Sequence, residues 1–131
     1  MDLKFLNQFS GSAHWALRIA LASIFIFHGI DKFINVGMIS QMMGMSSAVI
    51  IILGIAETAA GVLVLLGGFM QDWMTRLGGL IIVPIMLGAI FMVHAANGWN
   101  FMNGGMEFQV MTALVALFLL IKGNSINAAA S

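Results

Sequence analysis

Ser47-Ala48-Val49-Ile50-Ile51-Ile52-Leu53-Gly54-Ile55-Ala56-Glu57-Thr58-Ala59-Ala60-Gly61-Val62-Leu63-Val64-Leu65-Leu66-Gly67-Gly68 carries a single ionisable residue in 22 positions. The hydrocarbon core of a bilayer needs about 20 mainly apolar residues to be crossed as a helix. This stretch therefore reads as a membrane span. At about 100° per residue, Gly54, Glu57, Gly61 and Gly68 fall within one narrow arc. Apolar surface supplies no net drive between helices in lipid, so small residues and polar groups mark the contact face. That face, with its one acid, is expected to point into a helical bundle.

Working outward, three more runs of similar character occupy 13–33, 74–96 and 107–122. The expected fold is an all-α integral membrane four-helix bundle, one domain over residues 1–131. The whole composition agrees: 61% of residues are hydrophobic and 8% charged, against about 25% charged in soluble domains. Mean hydropathy is +1.05. Five Lys and Arg balance five Asp and Glu, which removes the basic footprint that nucleic-acid binding needs. The expected partners are the lipid bilayer and other membrane or redox subunits or a second copy of the chain, with no nucleic acid. The absence of cysteine excludes disulfides, thiolate metal sites and thiol nucleophiles. Arg18 interrupts the first run and no small-residue cleavage pattern follows it, so this run is expected to stay attached rather than act as a cleaved signal.

Lys4, Arg18, Arg76 and Lys122 flank one side of such a bundle, and the other keeps Lys32 offset by Asp31. The positive-inside rule then puts both termini in the cytoplasm of a multi-pass protein of a bacterial inner membrane. Trp15 and Trp73 at one level and Trp99 at the other fit an aromatic belt. Between the first two runs, 35–45 is rich in Gly, Met and Ser and is expected to form a short interfacial helix with Met38, Met42 and Met45 on one face. Thioethers are soft ligands for Cu(I), yet methionine this abundant usually packs. Pro84 lacks a backbone donor and is expected to kink the third span.

Ionisable residues within a membrane are costly and mark function by default. His28, Lys32, Glu57, His94 and Glu107 all fall in one half of the bilayer, from its boundary to roughly 12–15 Å below it at 1.5 Å per residue. They come from all four runs. Glu57 and His94 are the candidate catalytic pair, handling protons. His28, Lys32, Glu107 and Arg18 are the candidate ligand-binding residues, with Glu107 tuning His94. Arg18 lies on the Lys32 face of its helix but at the far end, where a snorkelling side chain is the plainer reading; His14 reads as a residue of the interface. An apolar slot with imidazole, amine and carboxylate groups suits a quinone or similar amphipathic ligand. Metal or haem ranks lower, because His-x-x-x-His, Glu-x-x-His and Cys-x-x-Cys-His spacings are all missing, and no metal ligand is assigned.

Leu17-Arg18-Ile19 through His28-Gly29-Ile30-Asp31-Lys32-Phe33, Gly54-Ile55-Ala56-Glu57 with Gly61 and Leu66-Gly67-Gly68, His94, and Gly104-Gly105-Met106-Glu107 together resemble the DoxX family of small four-helix membrane proteins. The resemblance covers nearly the whole chain and places the family's polar signature on Arg18, His28, Lys32, Glu57, His94 and Glu107. It departs at the end, where members often carry Gly-Pro-Gly then Ser-Leu-Asp and this chain reads Lys122-Gly123-Asn124-Ser125-Ile126-Asn127. The family includes the membrane subunit of a thiosulfate:quinone oxidoreductase and proteins linked to redox stress and protein maturation. The resemblance thus implies a redox-associated subunit, a quinone-linked oxidoreductase component whose electrons come from a partner. The rival is a non-catalytic structural or assembly subunit. A small transporter ranks third, since neither an inverted repeat nor a continuous polar stripe is present.

Overall fold

The computed structural model describes residues 3–127; the ends of the expected 1–131 domain, residues 1, 2 and 128–131, lie outside them. A 3-10 segment, Lys4–Ser12, leads into α1 (His14–Ile34). After α1 come α2 (Val36–Met43), α3 (Ser47–Gly67), α4 (Asp72–Ala89) and α5 (Glu107–Lys122). α3, α4 with its continuation to Asn97, and α5 with its continuation to Ile126 are each long and apolar enough to cross a membrane. α1 matches them in length but is diluted by Arg18, Asp31 and Lys32.

Successive helices pack antiparallel, α1 on α3, α3 on α4 and α4 on α5, while α1 and α5 meet much less. The bundle therefore has a terminus end, where α1 begins and α5 stops, and a loop end bearing α2 and the α4–α5 connection. Leu21 and Phe25 of α1, Ala60 and Val64 of α3, Ile82 of α4, and Ala116 and Leu119 of α5 make its core.

Small residues let the backbones touch, as the arc on α3 predicts. A Cβ on Gly61 would lie 3.1 Å from the Ala22 carbonyl oxygen of α1, and one on Gly79 of α4 would lie 2.8 Å from that of Ala116 on α5. The same contacts set the register. Gly67 of α3 faces Thr75 of α4, and Val64 faces Gly78, while Gly79 faces Ala116 and Leu120. Continued in equal steps, this register puts Glu57 level with Ile85 of α4 and with Thr112 of α5.

Between α1 and α3 the chain turns sharply at Asn35, whose side-chain amide donates to the carboxylate of Asp31 at 2.6 Å. α2 leaves at 100° to α1, as an interfacial helix would. It buries Ile39 and exposes Met38 and Met42. Met45 does not join their face, because α2 ends at Gly44 in the left-handed conformation (φ 64°), which glycine adopts without steric cost. On α4 the α-helical pattern runs through Pro84 to Ala89 and only then widens into a π turn, Ile90–His94. Such turns are rare and cluster at functional sites.

Candidate functional site

At the loop end, Lys32 Nζ donates to Glu57 Oε2 at 2.7 Å, with the two side chains 12% and 7% exposed. The pair joins α1 to α3 across the seam where Gly54 lets Lys32 approach, a Cβ there lying 3.2 Å from the Lys32 Cβ. Glu57 sits on α3 between the residues that face α1 (Gly54, Gly61) and those that face α4 (Ala60, Val64), so it projects into the bundle. Two opposite charges sheltered together compensate each other's desolvation, which neither could bear alone.

His94 joins α4 to the connecting loop and to α5. Its Nδ1 lies 2.7 Å from the Gly104 carbonyl oxygen, which can only accept, so Nδ1 carries the proton. Nε2 is then a lone pair and accepts from Gln109 Nε2 at 3.1 Å. Gln109 Oε1, turned away by this bond, is buried with no hydrogen-bond partner among the described residues, as is Thr58 Oγ1. Thr112, one turn along α5, is buried and donates back to the Phe108 carbonyl at 2.7 Å.

The expected role of Glu107 as a partner of His94 is corrected here. Glu107 Oε1 accepts from the backbone N–H of Phe101 at 2.8 Å and secures the loop. Gln109 is the residue that reaches the imidazole, because two positions on a helix differ by about 200°. Glu107 also borders an apolar groove of about 480 Å³ on the outward side of α5, walled by Trp99, Phe101, Phe108, Met111 and Leu114. His28 does not join the polar group. It is exposed on the outside of α1, edge-on to Phe27 with ring centroids 5.4 Å apart.

Arg18 lies at the terminus end, away from the others, and does not snorkel: it is 0% exposed. Its Nε donates to His14 Nδ1 at 2.9 Å, Nη1 to the Val64 carbonyl at 2.9 Å and to Thr75 Oγ1 at 2.7 Å, and Nη2 to Asn124 Oδ1 at 3.0 Å. His14, expected at the interface, is buried at 6% exposure and must present Nδ1 as an acceptor, since a guanidinium only donates. Asn124 is the residue that sequence reasoning missed. Besides Arg18 it accepts from Thr75 at 2.7 Å, donates its amide to the Gly67 carbonyl at 2.8 Å, and bonds Asp72 through its backbone N–H at 2.6 Å. Gly123, at φ 55°, turns the chain so that Asn124 returns beneath the bundle. Arg76 completes this end: it bonds Asp72 at 2.6 Å and the carbonyls of Leu120 and Ile121, the uncompensated last turn of α5. Only the Gly-Asn pair after the last span hinted at Asn124, as a turn signal.

Five of the six expected residues thus fall into three groups, and the sixth joins none. Lys32 and Glu57 are an ion pair in the bundle; His94 and Glu107 anchor the loop by separate bonds; Arg18 is the centre of a network at the opposite end, and His28 stands outside. Lys32–Glu57 and the His94–Gln109 pair both lie toward the loop end of the bundle, and bring amine, carboxylate, imidazole and amide groups to that half.

Comparison with known proteins gives the family. The DoxX family model matches residues 13–95, from the start of α1 through the π turn. A protein of Haemophilus influenzae named only as uncharacterized is 29% identical over 113 residues, covering 82% of this chain and 80% of its own length. No solved structure matches the chain. The chain belongs to the DoxX family of membrane proteins.

Proposed function

We propose that this DoxX-family chain is a redox-associated subunit of a bacterial inner membrane, binding a quinone or a similar small amphipathic ligand in the loop half of the bundle. The observation that carries this reading is the Lys32–Glu57 pair inside the bundle, in the same half as the unpartnered Gln109 oxygen. A structural ion pair serves as well on any helix seam, whereas a buried acceptor left without a donor costs about 1–3 kcal/mol and suits a hydroxyl donor that arrives with a ligand, such as that of a reduced quinone. In this role Lys32 stabilises charge on a ligand oxygen, Glu57 holds or moves a proton, His94, bonded through both ring nitrogens, orients Gln109, and the apolar walls exclude water. A bound quinone would supply the two-electron chemistry that no side chain here can. Electrons would come from another subunit, which makes a complex or oligomer part of the proposal.

The test is to purify the protein in lipid nanodiscs and extract bound small molecules for mass spectrometry, in wild type and in Glu57→Gln. Glutamine keeps the shape but cannot ionise. A quinone-class molecule near one per chain in wild type, reduced about tenfold in the variant, is the expected result. A ligand-free wild type would refute the site. The second reading, a structural or assembly subunit, is favoured by one observation: Arg18, His94 and Glu107 spend their hydrogen bonds on their own chain. It gains if cellular function survives Glu57→Gln.

The positive flanks support both termini in the cytoplasm. With no native cysteine, single reporters read this directly. Ser125→Cys is expected to react with a membrane-impermeant maleimide only in inverted vesicles, and Asn103→Cys only in intact spheroplasts. The reverse pattern would overturn the orientation.

A further inference from the structure

We propose that Gln109 is the specificity-determining residue of the loop-half site, held by His94 so that it presents a hydrogen-bond acceptor and selects a ligand head group carrying an O–H or N–H donor. Its role rests on the ligand site proposed above and defines what that site recognises.

Each hydrogen bond in this group fixes the next. The Gly104 carbonyl has no proton to give, so His94 Nδ1 must donate to it across 2.7 Å. When the ring is neutral, only a lone pair is left at Nε2 to receive an N–H, and Gln109 Nε2 lies 3.1 Å away. The amide cannot turn over without setting its oxygen against that lone pair. Gln109 Oε1 is thereby fixed as the free atom, and it is buried without a partner. Gly104 is itself held in place to receive His94, with a φ of 76° and a second bond to its carbonyl from the Asn97 amide at 3.3 Å.

The π turn Ile90–His94 is an independent observation pointing the same way. A π turn adds one residue to a helical turn, and so shifts the side chains beyond it by about one position around the axis. His94 closes that turn, and the shift affects the facing of its ring. A fold that needed only a loop anchor already has one in Glu107 and Phe101. A rare backbone feature, spent to place an imidazole on an amide whose other end is an orphan, describes a recognition group and its support. Gln109 is the group that touches the ligand, and His94 is its positioning residue.

A hydroquinone presents two hydroxyl donors and its oxidised partner presents only carbonyl acceptors, so a matched pair with the same short tail differs in the property Gln109 reads. The experiment measures binding of both to the full chain in nanodiscs by calorimetry, with reductant present for the first and absent for the second. Wild type is expected to bind the hydroquinone roughly tenfold more tightly, the size of one net hydrogen bond. Gln109→Met, close in volume, should remove the preference by weakening hydroquinone binding about tenfold. His94→Phe leaves Gln109 in place but frees its amide to turn, and should also collapse the preference. Thermal melting of each variant establishes that it is folded. Equal binding of the two forms by wild type overturns the role of Gln109 and leaves the site standing. Failure to bind either form overturns the site, and this inference with it.

Discussion

Arg18→Leu is expected to destabilise the bundle by roughly 3–5 kcal/mol, the cost of breaking a buried charged network. Leucine restores apolar volume but orphans what the guanidinium held: the Val64 carbonyl, Thr75, His14 Nδ1 and Asn124. These partners come from α1, α3, α4 and the segment after α5, so one side chain ties the terminus end together. Arg18→Lys should recover only part of the loss. An ammonium has three donors on a flexible stem and cannot reproduce the planar fork. Asn124→Ala should cost less, about 1–2 kcal/mol, because Arg18 keeps its bonds to His14, Val64 and Thr75. Unfolding in mixed micelles of increasing SDS fraction measures all three. Arg18→Leu unfolding at the wild-type midpoint would show that the network contributes nothing.

The second large effect separates stability from ligand binding at Lys32–Glu57. Glu57→Leu leaves an ammonium sheltered in the bundle with its counter-charge gone, and about 3–5 kcal/mol should be lost. Removing the partner as well, in Lys32→Met with Glu57→Leu, replaces both charges by apolar groups that α1 and α3 can pack around. Such replacements are often neutral or better in buried settings. The double variant is expected to unfold within about 1 kcal/mol of wild type, yet to have lost its bound small molecule. Retention of that molecule at the wild-type level would mean that the pair is a structural staple and that the ligand site lies elsewhere.

Much of the fold was legible because lipid imposes simple rules on a chain. The span of α3 follows from counting apolar residues, and its inward face from the spacing of Gly54, Glu57 and Gly61. α2 could be expected as a short separate helix because residues 35–45 interrupt the apolar runs with Gly and Ser. The partner of Glu57 was also within reach, since few cations lie near its depth. Each of these rests on a periodicity along one element.

The chemistry between elements was not legible in the same way. Arg18 and His14 looked like interface residues because a cation near a span end can always reach water; its burial depends on Gly68 allowing close approach, a Cβ there lying 2.9 Å from the Arg18 Cδ. Asn124 is remote in sequence from every group it bonds on α1, α3 and α4, and only the left-handed turn at Gly123 brings it back. The exchange of Glu107 for Gln109 at His94 turned on two positions of helical register, and the π turn that aims His94 has no periodic signature. The sequence by itself determined a membrane-embedded all-α protein, the long apolar helices α3, α4 and α5 and the acid that faces inward, because hydropathy and helical period act along the chain. Tertiary structure alone decided which polar groups meet, because a hydrogen bond depends on register and rotation to within about an ångström.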